Sequence, residues 1–288
     1  MKKKTYPFIL MILATLFFSC EDVVDIDVPE GEPRLIIDAI VRVDTTEAFT
    51  EVRVIVKETN SFFESLPPAV LDQITLLNVD NPGGGGAGET GVLDLIEPGV
   101  YSRFVSTDEL VNDRFLLQIR YQGKLFLAET KYKPAVPIDG IVQGDDVIFD
   151  EDDTEIIVTF TDAGGRDDYY LFDFGFGNFL TTDDEFYQGQ TFQFSYFYDD
   201  EVAPGDDVVV SIMGVDQQFY QYMELVIEQS EDGFGVFETP AVTVRGNFIN
   251  ATDINNNDVF DNVDASDNFA LGYFAIVQEF TADLSIEE

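Results

Sequence analysis

A chain of 288 residues with 15 Lys and Arg against 56 Asp and Glu carries a formal net charge of −41, which excludes nucleic-acid binding through clustered cations and docking on an anionic membrane through a basic face. There is no histidine and one cysteine, Cys20, so imidazole bases, His or thiolate zinc sites and internal disulfides are excluded too. Hydrophobic residues at 45% and aromatics at 14% supply a core, so the acidity does not signal disorder.

Residues 1–19 read as a signal peptide. Lys2, Lys3 and Lys4 form a basic n-region, and the run from Pro7 to Phe18 is apolar except for Thr15, too short to span a bilayer. It ends at Leu16-Phe17-Phe18-Ser19-Cys20, which resembles a bacterial lipobox. Cys20 is therefore expected to carry the lipid anchor and to begin the mature chain. No later stretch is apolar for long enough to cross a membrane. Residues 20–33 read as an acidic tether, with Glu21, Asp22, Asp25 and Asp27 followed by Pro29, Gly31 and Pro33. The acids resemble the export tag of surface lipoproteins in Bacteroidota, and equally make a solvated spacer.

Strands are expected at 35–43, 51–57, 74–79, 99–105, 114–121 and 124–132, the last two forming a hairpin about Gln122-Gly123. The glycine run 83–86 is a loop without the Lys-Ser or Lys-Thr of a phosphate loop. This spacing predicts an immunoglobulin-like β-sandwich over 34–137, with enough strands in 34–133 to fold alone. Pro134 and Pro137 mark a boundary, and 138–288 reads as a second β-rich domain. Its strands are expected at 155–160, 169–179, 191–198 and 207–213. One helix is expected at 216–229, capped by Asp216, with Phe219, Met223, Val226 and Ile227 at helical spacing. The fold class is mainly β.

Several segments together resemble the domain-of-unknown-function family numbered 4249, lipoproteins of Bacteroidota. They are the Cys20 anchor, Glu32-Pro33-Arg34-Leu35-Ile36-Ile37-Asp38-Ala39, Pro134-Ala135-Val136-Pro137-Ile138-Asp139 and Arg166-Asp167-Asp168-Tyr169-Tyr170-Leu171. Val215-Asp216-Gln217-Gln218-Phe219-Tyr220-Gln221-Tyr222 and Asn268-Phe269-Ala270-Leu271-Gly272-Tyr273-Phe274-Ala275 complete the set, with Ala270 where the family commonly has glycine. The resemblance implies an outer-membrane lipoprotein, on the periplasmic or the surface-exposed face, beside a TonB-dependent receptor. It implies no catalytic residues.

Three constellations bear on chemistry. Asp253, Asn255, Asn257, Asp261 and Asp264 occupy loop positions that could hold calcium. Asp258 stands where such a loop has glycine, and the same residues make a polar turn without metal. Phe172, Phe174 and Phe176, and Phe192, Phe194, Tyr196 and Tyr198, form period-two rows that read as sandwich core or, alternatively, as a glycan-stacking platform. Acidic clusters at 145–146, 150–153, 183–185, 199–201 and 206–207 read as solvated surface, and no carboxylate pair stands out for glycoside chemistry. No other cofactor is expected. The expected function is non-catalytic: an accessory or substrate-capturing partner of a TonB-dependent transporter. The alternatives are a glycan-binding or adhesin module, or a two-carboxylate glycoside-active enzyme.

Overall fold

Alternation of apolar and polar side chains builds the first sheets. In β1 (Leu35–Val43) every second residue, from Leu35 through Ile37, Ala39 and Val41 to Val43, faces the core. The same rule shapes β2 (Phe49–Glu58) and β3 (Gln73–Asn78), whereas the short β4 (Gly91–Val92) and β5 (Asp94–Glu97) lie at sheet edges without a buried face and β6 (Val100–Ser106) opens on three consecutive buried residues. A short helix, α1 (Thr107–Asn112), leads into β7 (Arg114–Tyr121) and β8 (Lys124–Lys131). The computed structural model describes residues 33–60, 64–82, 91–146, 154–198, 202–230, 243–252, 254 and 268–287.

The order β1-β2-β6-β5 faces β8-β7-β3-β4. In immunoglobulin lettering this is A-B-E-D against G-F-C with a C′ strand added. Gln122 and Gly123, both at positive φ, turn the β7–β8 hairpin.

The second half repeats the plan. Its strands are β9 (Ile138–Gln143), β10 (Thr154–Thr161), β11 (Tyr169–Asp173), β12 (Phe179–Asp183), β13 (Thr191–Tyr198) and β14 (Asp207–Val215). Helix α2 (Gln217–Ser230), the two-residue β15 (Ile249–Asn250) and the fifteen-residue β16 (Leu271–Ser285) complete the chain. Strands β9-β10-β13 face β12-β11-β14-β16, which is A-B-E against C′-C-F-G. The protein is mainly β, with an immunoglobulin-like sandwich at each core.

Strand β16 serves both cores. Its first half runs parallel to β1, from Ile36 opposite Leu271 to Val43 opposite Gln278. Its second half runs antiparallel to β14, from Met213 opposite Glu279 to Asp207 opposite Ser285. An eight-stranded sheet therefore passes from one sandwich to the other. Phe248, Ala270, Phe274 and Ile276 pack in the first core, and Phe280, Leu284 and Ile286 in or against the second. The first core is thus not contiguous in sequence, and residues 33–288 form one compact unit. The boundary peptide lies on the same strand: Lys133 N–H donates to the Ile276 carbonyl, and Gln278 N–H to that of Lys133.

Helix α2 starts where the sequence places it, with Phe219 N–H donating to Asp216 Oδ1 at 2.8 Å. Its Phe219 and Met223 cover the outer face of the joined sheet at Leu171, Met213, Val215, Tyr273, Ala275 and Val277. That cover explains why Tyr273 to Val277 is apolar without alternation: both faces of β16 are buried there.

Two expectations need correction. Residues 169–179 are not one strand, because Gly175, Phe176 and Gly177 all have positive φ and turn the chain back between β11 and β12. A second helix, α1, exists besides the expected one. It is only six residues long, too short for helical periodicity to show.

Candidate functional site

Two connections at one end of the second sandwich contribute three aspartates, two from the β10–β11 connection and one from the β12–β13 connection. Asp162 follows β10, Asp168 precedes β11 and Asp184 follows β12. All three are at most 7% exposed, and their carboxylate oxygens lie within 4.8 Å of one another. Glycines permit the approach. A Cβ on Gly189 would stand 3.0 Å from the Gly164 Cα, so two side-chain-free residues let these connections touch.

Each carboxylate is already held. The Tyr170 hydroxyl donates to Asp162 Oδ1 at 2.6 Å, with Asp168 Oδ2 3.1 Å away. Gly189 N–H donates to Asp162 Oδ2 at 2.7 Å, and Asp168 N–H to Asp184 Oδ2 at 3.0 Å. Arg166 Nε meets Asp168 Oδ2 at 2.6 Å. Arg166 and Arg245 are the only cationic residues beyond position 133. Tyr170 also packs edge-on against Phe160, tying the cluster to the second core.

Burial pushes the Asp168 carboxyl above its usual range. Arg166 and the Tyr170 hydroxyl pull it back only in part, and Asp162 adds to the rise. Burial, Asp162 and Asp168 likewise raise the Tyr170 phenol, which stays a donor. Three carboxylates beside one guanidinium leave a negative excess that a proton on Asp168 relieves. These oxygens could also face a hard cation, but only by displacing the hydroxyl, guanidinium and N–H groups that now hold them. The present geometry is that of a lock between the connections.

Between the unfolded and the higher folded pKa of Asp168, the folded protein retains a proton that the unfolded chain releases. The associated stability is fully present below the unfolded carboxylate pKa of about 3.9, and is lost as pH rises through the higher folded value. Urea midpoints of the wild type should therefore fall with rising pH relative to those of Asp168→Asn. Parallel profiles would show that Asp168 ionises in the fold as it does in water.

The residues singled out in the sequence are distributed differently. Cys20 and the calcium candidates Asp253, Asn255, Asn257, Asp261 and Asp264 lie outside the described residues. Phe172 and Phe174 are core, Phe192, Phe194 and Tyr196 pack on it, and Tyr198 is fully buried. Phe176 departs from its row and is 67% exposed. Among the acidic clusters, 183–185 supplies Asp184, while 150–153 and 199–201 lie outside the described residues. Asp162 and Asp168 were not among the expected site residues. Their signal was a lone arginine inside Asp162-Ala163-Gly164-Gly165-Arg166-Asp167-Asp168, directly before an apolar strand.

A pocket of ≈ 420 Å³ on the outer face of the first sandwich is lined by Leu116, Leu127, Glu129, Gln218, Asn247 and Ile249. Its one ionised group, Glu129, is engaged by Arg114 at 3.2 Å.

A family model described as a domain of unknown function, DUF4249, matches residues 21–282. A search of curated protein sequences gives no match. Similar solved structures include a DUF4785 family protein from Legionella pneumophila, with 9% identity, a TM-score of 0.24, and 62% of this chain and 52% of that chain covered. Red sea bream transglutaminase shows 11% identity and a TM-score of 0.22, with 64% and 29% covered. A two-domain fibronectin type-III segment from chicken tenascin shows 14% identity and a TM-score of 0.19, with 64% and 91% covered. The match thus spans about half of the first of these proteins and under a third of the second.

Proposed function

The chain belongs to the DUF4249 family of domains of unknown function, and on that premise we propose that it is a non-catalytic outer-membrane lipoprotein that assists a TonB-dependent transporter, as an accessory or substrate-capturing partner. The observation that carries this reading is Leu16-Phe17-Phe18-Ser19-Cys20 behind a basic n-region and an apolar run. Acyl chains on Cys20 would hold the protein at the membrane, each buried methylene contributing about 0.8 kcal/mol. Among the described residues no helix is long and apolar enough to cross a membrane. The non-catalytic part of the reading is supported by the chain's lack of histidine and by the carboxylate cluster, whose oxygens are committed to Tyr170, Arg166 and backbone N–H groups. The choice of partner rests on the family resemblance.

The test is purification of the full chain from its native membranes. The wild type is expected to sediment with membranes and retain a TonB-dependent receptor. Cys20→Ala is expected to remain unprocessed or to leave the membrane fraction. Unchanged sedimentation of Cys20→Ala would overturn the anchor, and recovery of the wild type without any receptor would overturn the partnership.

A further inference from the structure

Phe176 breaks the chemistry of its own turn. Asn178 N–H donates to the Gly175 carbonyl at 2.8 Å, closing a β-turn whose central residues are Phe176 and Gly177. Their φ values of 54° and 88° are the positive pair of a type I′ turn, which favours Asn, Asp or Gly at both places. A bulky aromatic at positive φ is a genuine outlier. The residue is nevertheless 67% exposed, and among the described residues its ring meets Tyr198 edge-on at 6.3 Å.

Hydrogen bonds tie the turn to the sandwich. Tyr198, fully buried, donates its hydroxyl to the Phe174 carbonyl at 2.8 Å. Phe174 N–H donates to the Asn178 carbonyl at 2.9 Å, and Gly175 N–H to Asp173 Oδ1 at 2.9 Å. The nearby cation Arg42 is committed to Asp173 and Glu279 at 2.7 and 2.8 Å. An apolar ring is thus displayed at the cost of backbone strain, on a hydrogen-bonded support.

Its surroundings define what it can meet. Tyr198 lies opposite Thr154, Gln143 is bonded to Glu287 N–H, and Asp207 lies opposite Ser285, so these chain ends share the end of the second sandwich remote from the carboxylate cluster. Asp145, Asp146, Asp206, Asp207 and Glu287 are exposed there. Neither cation of the second half reaches it: Arg166 lies at the opposite end, and Arg245 stacks on Phe269 beside the first sandwich. An exposed aromatic anchor with an acidic surround matches one kind of partner by charge and shape.

We propose that Phe176 is an intermolecular anchor through which this end of the second sandwich docks a protein surface carrying an apolar socket rimmed by Lys and Arg. The inference goes beyond the transporter reading and does not rest on it. If the ring serves a partner and not the fold, Phe176→Asn restores the residue the turn favours. It should raise the melting temperature of the full chain by about 2 °C. A lowered melting temperature would mean that Phe176 holds the fold together, and would overturn the proposal.

The binding arm uses a random peptide library displayed on phage, panned on the detergent-solubilised full chain and counter-selected on Phe176→Asn. Retained peptides should combine Lys or Arg with apolar residues and weaken with added salt. They should bind Phe176→Asn about tenfold less tightly. Equal binding to both proteins, retained peptides without cationic bias, or a library that yields no discriminating peptide would each overturn the proposal.

Discussion

Ending the chain at residue 270, which removes β16, should abolish cooperative unfolding of both sandwiches. The strand supplies Phe274 and Ile276 to the first core and Phe280 and Leu284 to the second, and the residue after it, Ile286, is buried in the second core. Phe274, Ile276 and Ile286 are at most 4% exposed. Each such side chain contributes about 1.5–3 kcal/mol of burial, and their sum rivals the roughly 5–15 kcal/mol by which a whole domain is stable. The truncation also strips the hydrogen-bonding partner from β1 and from β14, leaving two long edges open to aggregation. Thermal unfolding followed by circular dichroism should lose its sigmoid. Residues 34–133 alone lack the same strand and should likewise show no cooperative transition. A transition at the wild-type midpoint in either protein would mean that the sandwiches are independent of β16.

The substitution with the largest expected effect is Gly272→Ala. Gly272 has φ 97°, and a Cβ there would stand 1.9 Å from the Ile37 carbonyl oxygen, its own partner across β1. The clash is with paired backbone, so no rotamer relieves it. Relief would require separating β1 from β16 at the junction of the two cores. A loss of about 3 kcal/mol or more is expected, combining backbone strain with the displaced ladder. Gly123→Ala is the control, since Gly123 also has positive φ, 75°, but nothing within 4 Å of the added methyl. It should cost about 1 kcal/mol from conformation alone. Equal losses in urea denaturation would show that the sheet yields at Gly272 and that only φ strain matters.

These two predictions sit where local reading ends. Alternation in 35–43, 114–121 and 191–198 marked strands that the structure places at the same residues, and Asp216 with Phe219 and Met223 marked the second helix. Each signal is local, because a strand between core and solvent alternates whichever strand lies beside it. The turn at Gly175-Phe176-Gly177 escaped because aromatic residues kept the appearance of a strand across a change of backbone conformation. The apolar run Tyr273 to Val277 stated burial on both faces without stating what buries them. Only tertiary structure decided that β1 takes one edge of that strand, β14 the other, and α2 one of its faces.

The carboxylate cluster divides in the same way. Arg166 inside an acidic stretch before Tyr169 and Tyr170 could be read as unusual, whereas its meeting with Asp184 could not. Asp162 and Asp168 share the β10–β11 connection and Asp184 opens the β12–β13 connection; the two are brought together because β10 and β12 end, and β11 and β13 begin, at one side of the sandwich and Gly164 and Gly189 let the backbones touch. By itself the sequence determined the β class, most strand positions, the helix cap and the exclusion of histidine and disulfide chemistry, since these follow from composition and short-range period. The shared strand, the buried carboxylates and the exposed Phe176 were decided by tertiary structure, because each depends on which distant segments pack together, and a periodic pattern reports only that a face is buried.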